Sequence, residues 1–305
     1  MTLKSLARSL VRMAKRPFRR PRIVMTLLCR DEEDIVGYNI AHHLAQGVDF
    51  VIATDNASQD RTPQVLERFA RLGKLHLLHE PGLTHDQGIW VTRMARMAAR
   101  KFDADWVINN DADQFWLSRE GTLREALAAM PTDAGSLAVP HFDMLPPRAP
   151  QPLFFDAMSI RRADGKTVYG RGLQTNVCHR AFDDIHVSDG NHFVARRGVQ
   201  IPERSDHPLE FAHFPIRSAA QLERKIRQGS EALSANERLK PSTGGHWQKL
   251  YRDHYAHGTL GDFYAACALT AEQIEAGLAD GTLAVDTRVR DALRRIDLRL
   301  AAPDP

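Results

Sequence analysis

Two aspartates one residue apart, Asp111 and Asp113, end the run Trp106-Val107-Ile108-Asn109-Asn110, and Phe115 and Trp116 follow almost at once. A pair of carboxylates at one strand end suits a hard divalent cation, and such a cation in turn suits phosphate oxygens. Spacing alone does not single the pair out, because Asp103 and Asp105 repeat it just upstream. Position does separate the two. In an open α/β sheet, ligands bind beyond the carboxyl ends of the strands, where Asp111 and Asp113 stand. Asp103 and Asp105 precede the strand and are expected to end a helix.

The elements that must position this pair can be read upstream. Residues 22 to 29 form a continuous apolar run of buried parallel-strand type, ending at Arg30-Asp31-Glu32-Glu33. A helix pattern through Ile35, Tyr38, His42 and Leu44 follows, and Gly47 closes it. Residues 48 to 54 are a second strand, ending in Asp55-Asn56-Ala57-Ser58-Gln59-Asp60-Arg61-Thr62; a helix through Val65, Leu66, Phe69 and Leu72 stops at Gly73. Residues 75 to 78 give a third strand, 86 to 102 a long helix, and 106 to 111 the fourth strand. Such strand–helix units predict a parallel sheet with right-handed crossovers. The polar clusters at 30–33, 55–62 and 111–114 would then gather along one edge of it. Beyond residue 121 the pattern is mixed: a helix over 123–130, a strand over 136–142, a Pro-rich loop over 146–152, short strands and turns to residue 200, a helix over 219–233, and helices over 269–278 and 289–300.

Composition bounds the partners. The 305 residues carry a formal net charge of +3, but residues 1–22 hold eight basic residues and no acidic one, so the rest of the chain is net acidic. That excludes a generally basic nucleic-acid binder, and no nucleic-acid partner is expected. In this arm Leu3, Leu6, Leu10, Ala14 and Phe18 recur at helical spacing among Lys and Arg, as for an amphipathic helix on an anionic membrane surface; a solvated or partner-bound tail is the alternative. Pro17 and Pro21 break the pattern and mark a boundary. The three cysteines, Cys29, Cys178 and Cys267, are odd in number and widely separated, which fits a reducing cytoplasm, and no apolar run is long enough to span a bilayer.

With these pieces in place, the sequence resembles a glycosyltransferase of the family 2 type, in the bacterial branch with an Asp-x-Asp-x-Phe turn and a later His-x-Pro-x-Arg-Ser segment. The matching residues are Cys29-Arg30-Asp31-Glu32-Glu33, Asp55 through Thr62, Asp111-Ala112-Asp113-Gln114-Phe115, and His213-Phe214-Pro215-Ile216-Arg217-Ser218 with Gln221 and Lys225. The resemblance covers roughly residues 22 to 235. It implies a GT-A-type, Rossmann-like α/β fold: a mostly parallel central sheet flanked by helices, with a mixed acceptor-side region and C-terminal helices. The domains expected are a basic arm over 1–21, a nucleotide-sugar-binding and catalytic domain over 22–235, and a helical extension over 236–305. The implied activity is metal-dependent transfer of a sugar from a nucleotide-sugar donor to a glycan or lipid-linked acceptor, in cell-surface polysaccharide or glycoconjugate synthesis, in the cytoplasm or peripherally on the inner face of the membrane.

The resemblance also assigns roles. Asp55 would bond the nucleotide base, and Arg30, Asp31 and Glu32 would line the base and ribose pocket. Asp111 and Asp113 would face the ribose and the metal-bound diphosphate, with Arg93 a further nucleotide-side candidate and Arg96 its competitor. Mn²⁺ or Mg²⁺ on Asp113, with Asp111, would neutralise the leaving diphosphate as a Lewis acid. His213 is the chosen third ligand, with His192 and His246 in competition; histidine is compatible with Mn²⁺, whereas Mg²⁺ prefers oxygen. Arg217 and Lys225 would pair with phosphate oxygens, solvated positions on a helix being the alternative. A general base must take the acceptor proton. The family's usual downstream carboxylate pair is missing, and Asp189 in Ser188-Asp189-Gly190-Asn191-His192 is the substitute, with Asp143 and Glu210 as alternatives. Two other readings remain. A nucleotidyltransferase would want a Gly-rich basic loop after the first strand, whereas the turn here is acidic and lacks glycine. A membrane-associated scaffold would bind a glycan without turning it over.

Overall fold

In a computed structural model, which describes residues 20–82, 86–149, 151–234 and 245–301, strands and helices alternate through the first third of the chain. They are β1 (Ile23–Cys29), α1 (Val36–Ala45), β2 (Phe50–Asp55), α2 (Thr62–Arg71), β3 (Leu75–His79), α3 (Gln87–Lys101) and β4 (Trp106–Asp111). There follow β5 (Gln114–Ser118), α4 (Leu123–Ala129), β6 (Ser136–Val139), β7 (His141–Asp143), α5 (Phe154–Ala157), β8 (Ile160–Arg162) and β9 (Asn176–Arg180). The short strands β10 (Ile185–Val187), β11 (Val194–Arg196), β12 (Val199–Gln200) and β13 (Glu203–Arg204) lead to β14 (Leu209–His213). Helices α6 (Ala219–Ser234), α7 (Gly245–Asp253), α8 (Leu260–Cys267) and α9 (Ala271–Asp280), strand β15 (Leu283–Val285) and helix α10 (Arg288–Leu293) complete the chain. Of the basic arm, residues 1–19 lie outside the described residues, as does the end of the chain from 302 onward.

The expected α/β class is the one observed. A seven-stranded sheet has the order β13-β6-β9-β4-β1-β2-β3, and every neighbouring pair in it is parallel except the two made by β9. Strand β1 shows why it is central. Ile23, Met25, Leu27 and Cys29 point into a core shared with α1 and α2, while Val24 points into the core under α3, so both faces are covered. Each such fully buried aliphatic side chain contributes roughly 1.5–3 kcal/mol. Asp103 follows the end of α3 with positive φ, as expected, whereas Asp105 serves the sheet instead: its Oδ2 accepts from the Arg22 amide at 2.7 Å at the start of β1.

A second, three-stranded sheet, β5-β14-β7, carries the site. It corrects one expectation. Residues 136–142 are not one strand: Pro140, which has no N–H to donate, separates β6 in the large sheet from β7 in the small one. The predicted helix over 289–300 is likewise two pieces, α10 and a single 3-10 turn at Leu298–Leu300. Helices α6, α7 and α8 pack on a separate apolar cluster around Ile216, Leu222, Ile226, Leu250 and Leu260. No helix among the described residues is long and apolar enough to cross a membrane.

Candidate active site

Strand register makes the site. Strand β14 runs antiparallel to β5 with His213 opposite Gln114, and parallel to β7 with His213 opposite Asp143. The Asp111-Ala112-Asp113 turn leads directly into β5, so this register sets His213 between Asp113 and Asp143. The His213 Nδ1–H donates to Asp143 Oδ1 at 2.8 Å, and Nε2 lies 3.5 Å from Asp113 Oδ2. Asp143 is fully buried, and its second oxygen accepts from the Val168 amide at 2.7 Å. The Lys225 ammonium stands 2.5 Å from Asp113 Oδ2.

These neighbours set opposite proton affinities for the two aspartates. Burial would raise the Asp113 carboxyl, but the Lys225 ammonium and the His213 imidazole outweigh it and hold the group well below the usual carboxylate range. Burial likewise opposes charge on His213, yet Asp113 and Asp143 push its pKa up to about 10. Among the described residues, Asp111 has no cation in direct contact. Its oxygens accept only longer bonds from the amides of Gln87 (3.4 Å), Asn191 (3.4 Å) and Gln114 (3.2 Å), and burial followed by the charge of Asp113 pushes it up to about 7. Asn176 in turn donates to Gln114 Oε1 at 3.0 Å.

Beneath the turn lies a buried polar clamp. The Asn39 amide donates to the carbonyls of Ala112 (3.0 Å) and Gln114 (2.7 Å), and Asn39 Oδ1 accepts from Asn110 at 3.0 Å. His42 Nε2 donates to the Trp116 carbonyl at 2.8 Å, while His43 bridges the Asn39 carbonyl and the Trp116 amide. Replacing Asn39 by Ala leaves these buried groups unpaired and is expected to cost about 2–3 kcal/mol. A denaturant midpoint within experimental error of the wild type would show that the clamp is dispensable.

His42 and His43, together with His179 on β9, make the fold acid-sensitive. Burial lowers His42 and His179 to about 4 from 6.5 and holds His43 well below its ordinary value. Their contribution is fully present above pH 6.5 and is lost as pH falls from there through about 4, because the unfolded chain takes up protons the folded chain refuses. His42 alone is expected to cost about 2 kcal/mol by pH 5. Urea unfolding at pH 7 and pH 5, with His42→Gln flattening the difference, checks this.

The cleft itself has a volume of about 590 Å³ and is lined by Arg30, Asp31, Glu32, Asp111, Asp113, Asp189, His213 and Lys225 among the expected residues. It does not gather all of them. Asp55 is buried behind the lining with one carboxylate oxygen unpartnered among the described residues, whereas its neighbour Asn56 does line the cleft. Arg93 pairs with Glu80 at 3.1 Å and is not among the lining residues; its competitor Arg96 donates to the Ile185 carbonyl at 2.6 Å. Arg217 is buried away from the lining, its guanidinium shared between Glu32 and Asp34. The Asp31 carboxylate ties the loops after β1 and β2 together, accepting from the amides of Gln59 at 2.6 Å and Asp60 at 3.3 Å and from the Gln228 side chain at 2.6 Å. Asp189 is exposed, and its Oδ1 accepts the Gly88 amide at 2.8 Å at the start of α3. A Cβ on Gly88 would lie 2.8 Å from that same oxygen, so a larger residue there would push the Asp189 carboxylate aside. Glu210 is held by Arg288 at 2.6 Å and does not line the cleft. His192 does, with Nδ1 3.1 Å from the Thr175 carbonyl; the side chain of His246 lies outside the described residues.

No family model matches the chain, and no curated protein matches it. Solved structures do. The S. aureus TarS fragment 1–349 in complex with UDP is 13% identical, with 84% of this chain and 82% of that chain covered at a TM-score of 0.37. The M. tuberculosis glucosyl-3-phosphoglycerate synthase is 18% identical over 47% of this chain and 49% of that one, at 0.29. The same enzyme in complex with Mg²⁺ and uridine diphosphate is 17% identical over 47% and 48%, at 0.28.

The donor set fits a divalent cation. A metal-bound histidine characteristically gives its other N–H to a carboxylate, which fixes the ring. His213 does so through Asp143, leaving Nε2 toward Asp113 and the cleft. His141, Asp143 and His213 also bring one ligand atom each within 4.8 Å of one another. All three line the cleft, as do Asp111 and Asp113, but both oxygens of Asp143 are engaged, by Val168 and His213. Sequence reasoning named Gln221 and Lys225 but missed the amides around Asp111 and the two residues that complete a cleft-facing row on α6, Arg224 and Gln228. The row's spacing of three, four and seven residues marks one helical face, and that polar stripe was a readable signal.

Proposed function

We propose that this chain is a divalent-metal-dependent glycosyltransferase of GT-A type that moves a sugar from a nucleotide-sugar donor to a glycan or lipid-linked acceptor. The observation that carries the reading is the convergence of Asp113 and His213 on one point of the cleft, with His213 oriented by a buried carboxylate. Asp113, His213 and, beside them, Asp111 would hold Mn²⁺ or Mg²⁺; an imidazole in the set favours Mn²⁺. Bound there, the ion supplies Lewis-acid stabilisation of the leaving diphosphate. Lys225 and Arg224, both on the cleft face of α6, offer cationic donors to phosphate oxygens. Arg30, Asp31 and Glu32 line the nucleotide side with Asn56; outside that lining, Asp55 is the base-side candidate and Arg93 a further nucleotide-side candidate. Arg217 supports this wall through Glu32.

Asp189 is the acceptor-side proton acceptor in this reading. It lines the cleft, and its Oδ1 is anchored on Gly88 while Oδ2 has no hydrogen bond among the described residues. Residues 22–235 form the catalytic unit, 236–305 a helical extension, and the basic arm holds the enzyme at an anionic membrane surface on the cytoplasmic side, where polysaccharide or glycoconjugate precursors are assembled.

A thermal-shift panel of nucleotide sugars, with and without Mn²⁺, tests the reading. Ligands that bind the native state raise its stability according to affinity and concentration. One donor is expected to raise the melting temperature only with metal, and chelator to cancel the gain. A panel with no metal-dependent shift, and pyrophosphate release from a nucleoside triphosphate instead, would move the assignment to a nucleotidyltransferase.

A further inference from the structure

Two nitrogen groups already crowd one oxygen of Asp113. Lys225 Nζ lies 2.5 Å from Oδ2, and His213 Nε2 lies 3.5 Å from the same atom. The residues that share the cleft face of α6 with Lys225 are tied elsewhere. Gln221 accepts the Arg217 amide, Arg224 donates to the Asp31 carbonyl, and Gln228 donates to the Asp31 carboxylate. Lys225 alone among these four reaches the aspartate turn. Its side chain is one-fifth exposed, lines the cleft, and ends a flexible four-carbon stem.

A divalent ion placed on Asp113 would meet this ammonium at contact distance, and like charges so close and so shielded from water repel strongly. The ammonium must leave before the ion can settle. On leaving it needs another anion, since neighbouring cleft carboxylates are already engaged: Asp111 by the amides of Gln87, Gln114 and Asn191, Glu32 by Arg217, and Asp31 by Gln59 and Gln228. A diphosphate entering beside the turn is the anion the cleft is built to receive.

We propose that Lys225 is a resident counter-cation which keeps the metal position on Asp113 closed until a nucleoside diphosphate group draws its ammonium away. Metal and nucleotide then bind cooperatively, and free metal alone binds weakly. The inference rests on the reading of the cleft as a metal and nucleotide-sugar site, but it assigns Lys225 a role in the order and coupling of binding rather than in the transfer itself.

The test is a Mn²⁺ titration followed by the electron paramagnetic resonance of the free ion, on the full chain, with no activity measured. Wild type, Lys225→Met, Lys225→Gln and Lys225→Arg are titrated with Mn²⁺ alone, then with UDP, GDP or ADP present. Removing the charge is expected to tighten binding of Mn²⁺ alone by about tenfold, within the usual range of site–site coupling, and to shrink the gain that nucleotide brings. Lys225→Arg, which keeps the charge, is expected to behave as wild type, and Asp113→Asn added to Lys225→Met is expected to abolish the tight binding. Equal or weaker Mn²⁺ binding in both neutral variants, with nucleotide-dependent binding intact in wild type, overturns the role of Lys225 alone. No Asp113-dependent Mn²⁺ binding in any variant under any condition overturns both this role and the metal-dependent reading.

Discussion

Replacing Arg217 by Ala is expected to lower stability by about 3–5 kcal/mol, the cost of breaking a buried ion pair by removing one side. The Arg217 side chain is only 2% exposed. Its guanidinium donates to Glu32, to Asp34 at 2.6 and 2.9 Å, and to the Phe214 carbonyl at 3.2 Å. Glu32 bears the loss, because it is the better buried of the two acids and already titrates above its ordinary range: burial raises it, and Arg217 is the leading influence that lowers it. Without Arg217 that carboxylate must take up a proton or open the wall of the cleft. Chemical denaturation measures the loss, and adding Glu32→Gln is expected to recover part of it by removing the stranded charge. A loss under about 1 kcal/mol would place the cluster with ordinary surface pairs.

Asp113→Asn is expected to abolish metal-dependent donor binding and to lower transfer by about 10²–10³-fold, the scale on which a single preorganised charge partner acts in a dry site. The substitution keeps shape and removes charge, so Lys225 and His213 lose the carboxylate they share. Asp111→Asn offers the contrast. That carboxyl sits among amides and is pushed up to about 7, so a neutral isostere there is expected to cost far less stability than at Asp113. Calorimetric titration with donor and Mn²⁺, run beside a denaturation curve for each variant, separates the two effects. Undiminished metal-dependent binding in Asp113→Asn would remove Asp113 from the metal set.

How much of this was legible follows from the range of the interactions involved. The alternation of β1 to β4 with α1 to α3 was readable because each strand is a short apolar run that meets its neighbours through regular crossovers, and because Gly47 and Gly73 take the positive φ that ends a helix. Strands β5 and β14 could not, since neither carries a local signal beyond a few aromatic and aliphatic residues; each exists because it pairs with the other from far along the chain. Pro140 could have warned that residues 136–142 would divide. Asp143 was visible as a carboxylate, but only the register of β7 on β14 makes it the partner of His213. Arg217 shows a limit of another kind. An arginine in a polar motif looks the same whether it faces phosphate or closes a buried pair with Glu32 and Asp34, and only the fold of the turn after β1 decides.

Strand β14 has a consequence for how this protein is made. The donors on Asp113 and His213 face one another only after β14 has been inserted between β5 and β7, which means closing the long loops from Gln114 and from Asp143 to His213. The four-stranded alternating part can assemble from near neighbours, whereas the small sheet waits for remote ones. A chain interrupted anywhere between Asp143 and His213 during synthesis therefore has half a cleft and no competent ligand set. In the proposed reading, nascent protein binds neither metal nor donor until strand β14 has arrived.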